Sequence, residues 1–239
     1  MQKNVLITGA NRGLGLELTK QLNQLGYFVW MGVRNAEAAE AVIATLADPS
    51  QAAVVPVDLL DAGTFSEVYG VIESVHGRLD ILINNAGVML EEDLLSNSAA
   101  TVTGQQLKIT FGVNFLGPVL LTNTLLPLLL KSAAPRIVNV STNMGSQHLQ
   151  STIPELPKTF AYNASKAALN TYTIHLSALL KDTPVKVNSV HPGWVRTDMG
   201  GPHAPLTAAE GTGTILAMAL LDDSGPTGKF MHKEEEVPW

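Results

Sequence analysis

The chain contains no cysteine, so neither a disulfide framework nor a thiolate metal site is available to it, and its six histidines lack metal-ligand spacing. No metal is expected. Basic residues are scarce and unclustered: 15 Lys and Arg stand against 21 Asp and Glu, a net charge of −6. That balance argues against a surface that tracks nucleic-acid phosphates and favours a small-molecule partner. The longest apolar stretch, Leu116 to Leu130, is broken by Gly117, Pro118, Thr122, Asn123, Thr124 and Pro127. It falls short of the ~20 apolar residues that span a bilayer, so it reads as a buried helix and no membrane partner is expected. The N-terminus runs almost directly into an apolar strand and carries no small-residue cleavage signature, which speaks against export and makes the cytoplasm the expected location. Internal repeats and low-complexity linkers are also missing. What remains is a 239-residue chain, 46% hydrophobic, able to bury one large core.

Asn4 to Thr8 is a short β-branched run, apolar on both sides, as expected of a strand buried in a parallel sheet. It leads into a Gly-rich turn holding Gly9, Asn11, Arg12, Gly13 and Gly15, after which Leu14, Leu18, Leu22 and Leu25 follow helical spacing. Glycines allow a tight turn and close backbone approach to a pyrophosphate, and the first helical N–H groups face the anion. Tyr27 to Val33 is the second strand, and it ends in Arg34–Asn35 rather than in an acidic residue. A cation there, joined by Arg12, suits a ribose 2′-phosphate and leans the cofactor to NADP(H).

A helix is expected over Ala36 to Leu46 and a third strand over Ala53 to Val57. Asp58 follows, either at a ligand or as a cap for the helix starting near Asp61. The fourth strand, Leu79 to Asn84, ends in Asn84–Asn85–Ala86–Gly87, small and amide residues suited to a backbone close to a flat ligand. Glu91 to Thr103 reads as surface loop or short helix, Gln105 to Lys131 as a long helix containing Asn114. The fifth strand, Arg136 to Val140, ends at Ser141–Thr142. Asn143 to Thr159 shows no periodicity and is expected to be a loop bordering a site. Val185 to Val190 is the sixth strand, and it leads to His191–Pro192–Gly193. A substrate lid is expected near residues 194–212, rich in Gly and Pro, then a helix from Thr207 to Leu221 and a strand near Lys229 to His232. The acidic run Glu234 to Glu236 reads as a solvated edge. Strands alternating with helices over short connections predict a single domain, 1–239: a doubly wound, mostly parallel, seven-stranded α/β sheet with helices on both faces.

The stretch from Phe160 to Lys181 sets Tyr162 and Lys166 four residues apart on a predicted helix, one turn apart on one face. A phenol titrates near ~10 and serves poorly as an acid or base at neutral pH unless a neighbouring cation stabilises the phenolate. Lys166 is placed to do that. Taken alone, the pair is more often a core aromatic beside a solvated lysine.

Taken in order, Thr8–Gly9 to Gly15, Asn84 to Gly87, Asn114, Ser141–Thr142, Tyr162–x–x–x–Lys166 and Pro192–Gly193 with Thr197 resemble the short-chain dehydrogenase/reductase family, end to end. The stretch from Val190 to Gly201 and the closing Pro238–Trp239 look like its sniffer and C-factor type carbonyl reductases. The resemblance implies a Rossmann-type fold and an NADP(H)-dependent reduction of a small carbonyl, or oxidation of the alcohol, with Tyr162 as general acid. It implies that Lys166 lowers the Tyr162 pKa and holds the nicotinamide ribose. Asn114 would support a relay water, and a hydroxyl from Thr142, or from Ser141 if the strand ends early, would assist. Cofactor contacts are implied for Gly9, Asn11, Arg12, Gly13, Leu14, Gly15, Arg34, Asp58, Asn85, Ala86, Gly87, Tyr162, Lys166, Pro192, Gly193, Val195 and Thr197. Met144, His148, Leu149, Trp194, Met199 and His203 are expected around the substrate. Relatives commonly pair through two long helices, so a homodimer or homotetramer is compatible with the apolar Leu116 to Leu130. Thr142, where the family usually carries serine, leaves open a cofactor-binding sensor with little turnover.

Overall fold

The computed structural model describes residues 2–91 and 99–239. One eight-stranded sheet runs through it in the order β3-β2-β1-β4-β5-β6-β7-β8. Seven strands are parallel: β1 (Asn4–Thr8), β2 (Phe28–Val33), β3 (Ala52–Pro56), β4 (Ile81–Asn84), β5 (Arg136–Val140), β6 (Lys186–Val190) and β7 (Phe230–His232). The eighth, β8 (Glu235–Glu236), pairs antiparallel with β7 through a tight turn at Lys233, whose φ is 54°. The sequence expectation of seven strands missed it because a pair of exposed glutamates carries no strand signal. Lys229 holds this edge through an ion pair to Glu236 at 2.9 Å.

Side-chain alternation along each strand builds a core on both sheet faces. Leu6, Leu82, Ile137 and Val187 pack on one side with α3 (Gly63–His76), α5 (Gly117–Leu129) and α7 (Phe160–Leu179). Val5, Ile7, Ile81, Ile83 and Val138 pack on the other with α1 (Gly13–Gln24), α2 (Ala36–Ile43) and α9 (Gly213–Ala219). Each fully buried Leu or Ile contributes about 2 kcal/mol of transfer free energy, so both faces must stay covered for the sheet to persist.

The helix expected over Ala36 to Leu46 ends at Ile43, and that over Thr207 to Leu221 is split into α8 (Ala208–Gly211) and α9. The long helix is α4 (Gly104–Phe111) continued through a π-helical turn, Gly112–Leu116, into α5. At 26 residues this run is long and apolar enough to cross a membrane by length and composition, contrary to the shorter stretch read from the sequence. Its Leu121, Leu125, Leu128 and Leu129 are nevertheless buried in the core. The segment after β5, expected as a loop, contains a 3-10 turn over Asn143–Gly145 and α6 (Gln147–Thr152). Ser146 starts α6 by accepting from the Leu149 N–H at 3.1 Å, a cap that the sequence carried unread. Of the predicted Glu91 to Thr103 segment, 92–98 lies outside the described residues.

Candidate active site

The strand order reverses between β1 and β4, and the cavity opens there, at the carboxyl ends of the strands, where open α/β sheets bind ligands. It encloses about 910 Å³, at the upper end of the ~300–1,000 Å³ usual for ligand pockets. Its floor is the Gly-rich turn. Gly9 and Gly13 hold φ of +67° and +53°. A Cβ added to Gly15 would lie 2.0 Å from the Gly9 carbonyl oxygen, so only glycine lets α1 start this close to β1. Gly15 itself therefore faces inward and does not border the cavity, whereas Gly9, Asn11, Arg12, Gly13 and Leu14 do.

At the rim, Arg34 and Asp58 follow β2 and β3. Arg34 is exposed, and among the described residues no hydrogen bond or ion pair engages its guanidinium. Arg12 instead pairs with Asp198 at 3.1 Å across the cavity mouth. Asp58 accepts from the Leu60 N–H at 3.0 Å, and Asp61 accepts from Gly63 at the start of α3, so Asp61 rather than Asp58 serves that helix.

The turn after β4 is laced to β1. Thr8 Oγ1 accepts from the N–H groups of Asn85 and Ala86, both at 3.0 Å, and the Asn85 amide donates to the Thr8 carbonyl at 2.8 Å. Asn85, Ala86 and Gly87 border the cavity. Asn84 does not, and it departs from the flat-ligand expectation. It is buried in a polar row across the sheet, donating to Thr122 and to Asn139, which donates to Thr173, itself 2.8 Å from Ser189.

Tyr162 and Lys166 lie on α7 and both face the cavity, 9% and 3% exposed. Lys166 Nζ donates to the Val140 carbonyl at 2.8 Å and sits 5.9 Å from the Tyr162 ring centre. Burial pushes the phenol up to about 12 and the ammonium down to about 8. In the free protein burial raises the Tyr162 pKa, while the Lys166 ammonium is engaged with the Val140 carbonyl.

Asn114 lies in the π-helical turn, fully buried directly behind the cavity wall at Gly87 and Val88. It accepts from the Val88 N–H and donates to the Val88 carbonyl, both at 2.8 Å, and donates to Ser165 at 3.0 Å. Its Oδ1 still lies near Lys166: a Cβ on Gly87 would meet that oxygen at 3.3 Å and Lys166 Nζ at 3.4 Å.

Ser141 and Thr142 both border the cavity. Thr142 Oγ1 accepts from the Met144 N–H at 3.3 Å and donates to Asn143 at 3.2 Å, while Ser141 Oγ is buried without a partner among the described residues. Pro192, Gly193, Val195 and Thr197 close the opposite wall, the Thr197 methyl seated against Gly13. The 194–212 segment is hooked on itself by a Val195–Leu206 bridge and by the Trp194 indole donating to Gly200 at 2.8 Å. Met144, Trp194 and Met199 line the cavity as expected. His148, Leu149 and His203 do not, since His148 and Leu149 lie in α6 and His203 is exposed on the loop that the Val195–Leu206 bridge closes. Met89, Val113, Leu156, Pro157 and His191 line it unforeseen. Only His191, directly after β6, had a positional signal.

The class that this arrangement defines is a Rossmann-type oxidoreductase. The short chain dehydrogenase model matches residues 3–205, and the chain belongs to that family. It is 36% identical to mouse (Mus musculus) retinol dehydrogenase 14 over 272 aligned positions, covering 98% of this chain and 79% of that protein. It is 30% identical to salutaridine reductase of Papaver bracteatum, covering 94% and 92%. Among solved structures, carbonyl reductase Sniffer of D. melanogaster superposes with a TM-score of 0.88 at 31% identity, covering 100% of each chain. NADPH-bound carbonyl reductase from chicken fatty liver gives 0.87 at 27%, covering 100% and 99%.

Proposed function

We propose that this protein is an NADP(H)-dependent carbonyl reductase acting on a small, partly apolar aldehyde, ketone or quinone. The observation that carries the reading is the buried Tyr162–Lys166 pair facing a switch-point cavity floored by glycines. The glycine cradle fits a pyrophosphate, and the free guanidinium of Arg34 at the rim, with Arg12 near by, fits a 2′-phosphate. The likeness to an NADPH-bound carbonyl reductase supports the same choice. When bound, the nicotinamide supplies the hydride.

The chain's own residues supply the rest. Tyr162, protonated at neutral pH because burial holds its pKa near 12, donates its proton to the carbonyl oxygen. Lys166, charged below about 8, is held by Val140 at the cavity wall, where it stabilises the developing negative charge and would offer donors to ribose hydroxyls. Thr142 or Ser141 contributes a hydroxyl to the same oxygen. Met89, Val113 and Leu156 exclude water from the apolar part of the substrate.

The test is a panel of aldehydes, ketones and quinones assayed by NADPH oxidation beside a fluorescence titration of the cofactor. Turnover with at least one carbonyl is expected. Saturable NADPH binding with no turnover across the panel would favour a cofactor-binding sensor instead.

A further inference from the structure

The helix that carries Tyr162 begins without a local cap. Thr159, at the N-cap position of α7, makes no side-chain bond to the first-turn N–H groups; its hydroxyl donates to Asn163 at 2.8 Å. The N–H groups of Ala161 and Tyr162 are satisfied from far away. Ala161 donates to Glu91 Oε1 at 3.0 Å and Tyr162 to Glu91 Oε2 at 2.9 Å.

Glu91 is 2% exposed. A buried carboxylate is costly unless its oxygens find donors, and here two consecutive N–H groups and the positive end of a 20-residue helix meet it. A serine or threonine at the N-cap satisfies helix N–H groups locally. A carboxylate 70 residues earlier does something further: it ties the start of α7 to the segment after β4. Three residues before Glu91, Val88 is clamped on both backbone groups by Asn114, and Gly87 borders the cavity. Glu91 itself does not border the cavity. The connection therefore runs from the cavity wall at Gly87, through Val88 and Glu91, to the main chain of Tyr162.

We propose that Glu91 is a positioning residue for Tyr162: its carboxylate pins the start of α7 to the turn after β4, so that the phenol keeps one position relative to that wall. The proposal rests on the reading of Tyr162 as proton donor. Misplacing a reacting group by about 1 Å can cost on the order of 10²-fold in rate, which sets the scale of effect to look for.

The experiment compares the parent with Glu91→Gln and Glu91→Asp. The glutamine keeps the shape but turns an amide NH₂ towards an N–H donor; the aspartate keeps both acceptor oxygens and the charge on a shorter stem. Turnover is measured with a carbonyl that the parent reduces, NADPH affinity by fluorescence, and amide exchange at Ala161 and Tyr162 by NMR. In Glu91→Gln, kcat should fall at least ~10-fold while KM and NADPH affinity stay within about threefold, and both amides should exchange faster. Glu91→Asp should recover part of kcat, and it carries the comparison if Glu91→Gln does not fold. An unchanged kcat in Glu91→Gln, or a loss that NADPH affinity shares in full, overturns the proposal. Should the parent reduce no carbonyl, the reductase reading is lost, and unchanged exchange at the two amides then overturns the pinning independently.

Discussion

Lys166 commits its ammonium to the Val140 carbonyl at 2.8 Å, with Nζ 5.9 Å from the centre of the Tyr162 ring. The two groups are therefore neighbours whose pKa values are set by burial, which raises one and lowers the other.

The pH dependence follows from that. Lys166 is charged below about 8 and neutral above it, while Tyr162 keeps its proton up to about 12. The kcat/KM for the cofactor, which reports groups of the free protein, should fall as pH rises through about 8. Tyr162→Phe should lower kcat by ~10² or more with NADPH affinity nearly unchanged, whereas Lys166→Ala should weaken both. Near-parent turnover in Tyr162→Phe would assign the proton to another group.

Arg34 and Arg12 make different predictions because, among the described residues, Arg34 has no partner and Arg12 is paired with Asp198. NADPH should bind at least tenfold more tightly than NADH, a preference needing only about 1.4 kcal/mol, and Arg34→Asp should erase it. The Arg12–Asp198 pair is exposed on both sides and worth at most about 1 kcal/mol, so Asp198→Asn should tighten NADPH modestly, up to about fivefold, and leave NADH unchanged. Equal dissociation constants for both cofactors in the parent would remove the basis for both expectations.

Thr142 and Ser141 compete for one role. The Thr142 hydroxyl is engaged in its own turn, and the Ser141 hydroxyl is buried with no partner among the described residues. Thr142→Val should lower kcat with cofactor affinity retained, Thr142→Ser should stay active, and Ser141→Ala should be milder. A collapse in Ser141→Ala alongside an active Thr142→Val would move the role to Ser141.

His191 predicts acid sensitivity. Burial first, and then the charge of His232, whose ring is tilted by 38° with its centre 4.7 Å away, lower its pKa from 6.5 to about 4. A lowered pKa means that the unfolded chain takes up the proton first, so stability is highest above 6.5 and is lost as pH falls towards 4. Melting temperatures at pH 7, 5.5 and 4.5 should decline, and the decline should be shallower in His191→Asn. A parallel decline in the variant would locate the acid sensitivity elsewhere.

Much of the fold was legible because its signals are local. The buried run of β1, the Gly-rich turn and the helical spacing of Leu14, Leu18 and Leu22 each depend on neighbours within a few residues. Where signals were weak the reading slipped. Glu235–Glu236 looked like a solvated edge, and α6 was hidden in a stretch whose only cue was the Ser146 cap.

The Tyr162–Lys166 pairing was determined by the sequence alone, since four residues on a helix share a face whatever surrounds them. The positions of the glycines were equally plain, because no other residue allows the turn between β1 and α1. The tertiary structure decided the rest: that Asn84 enters a buried polar row, that Asn114 clamps Val88, that Glu91 caps the helix of Tyr162, and that burial rather than Lys166 governs the phenol. Each of these depends on groups tens of residues apart in the chain, and the desolvation and hydrogen bonding of a side chain are sums over whichever distant segments the fold brings against it.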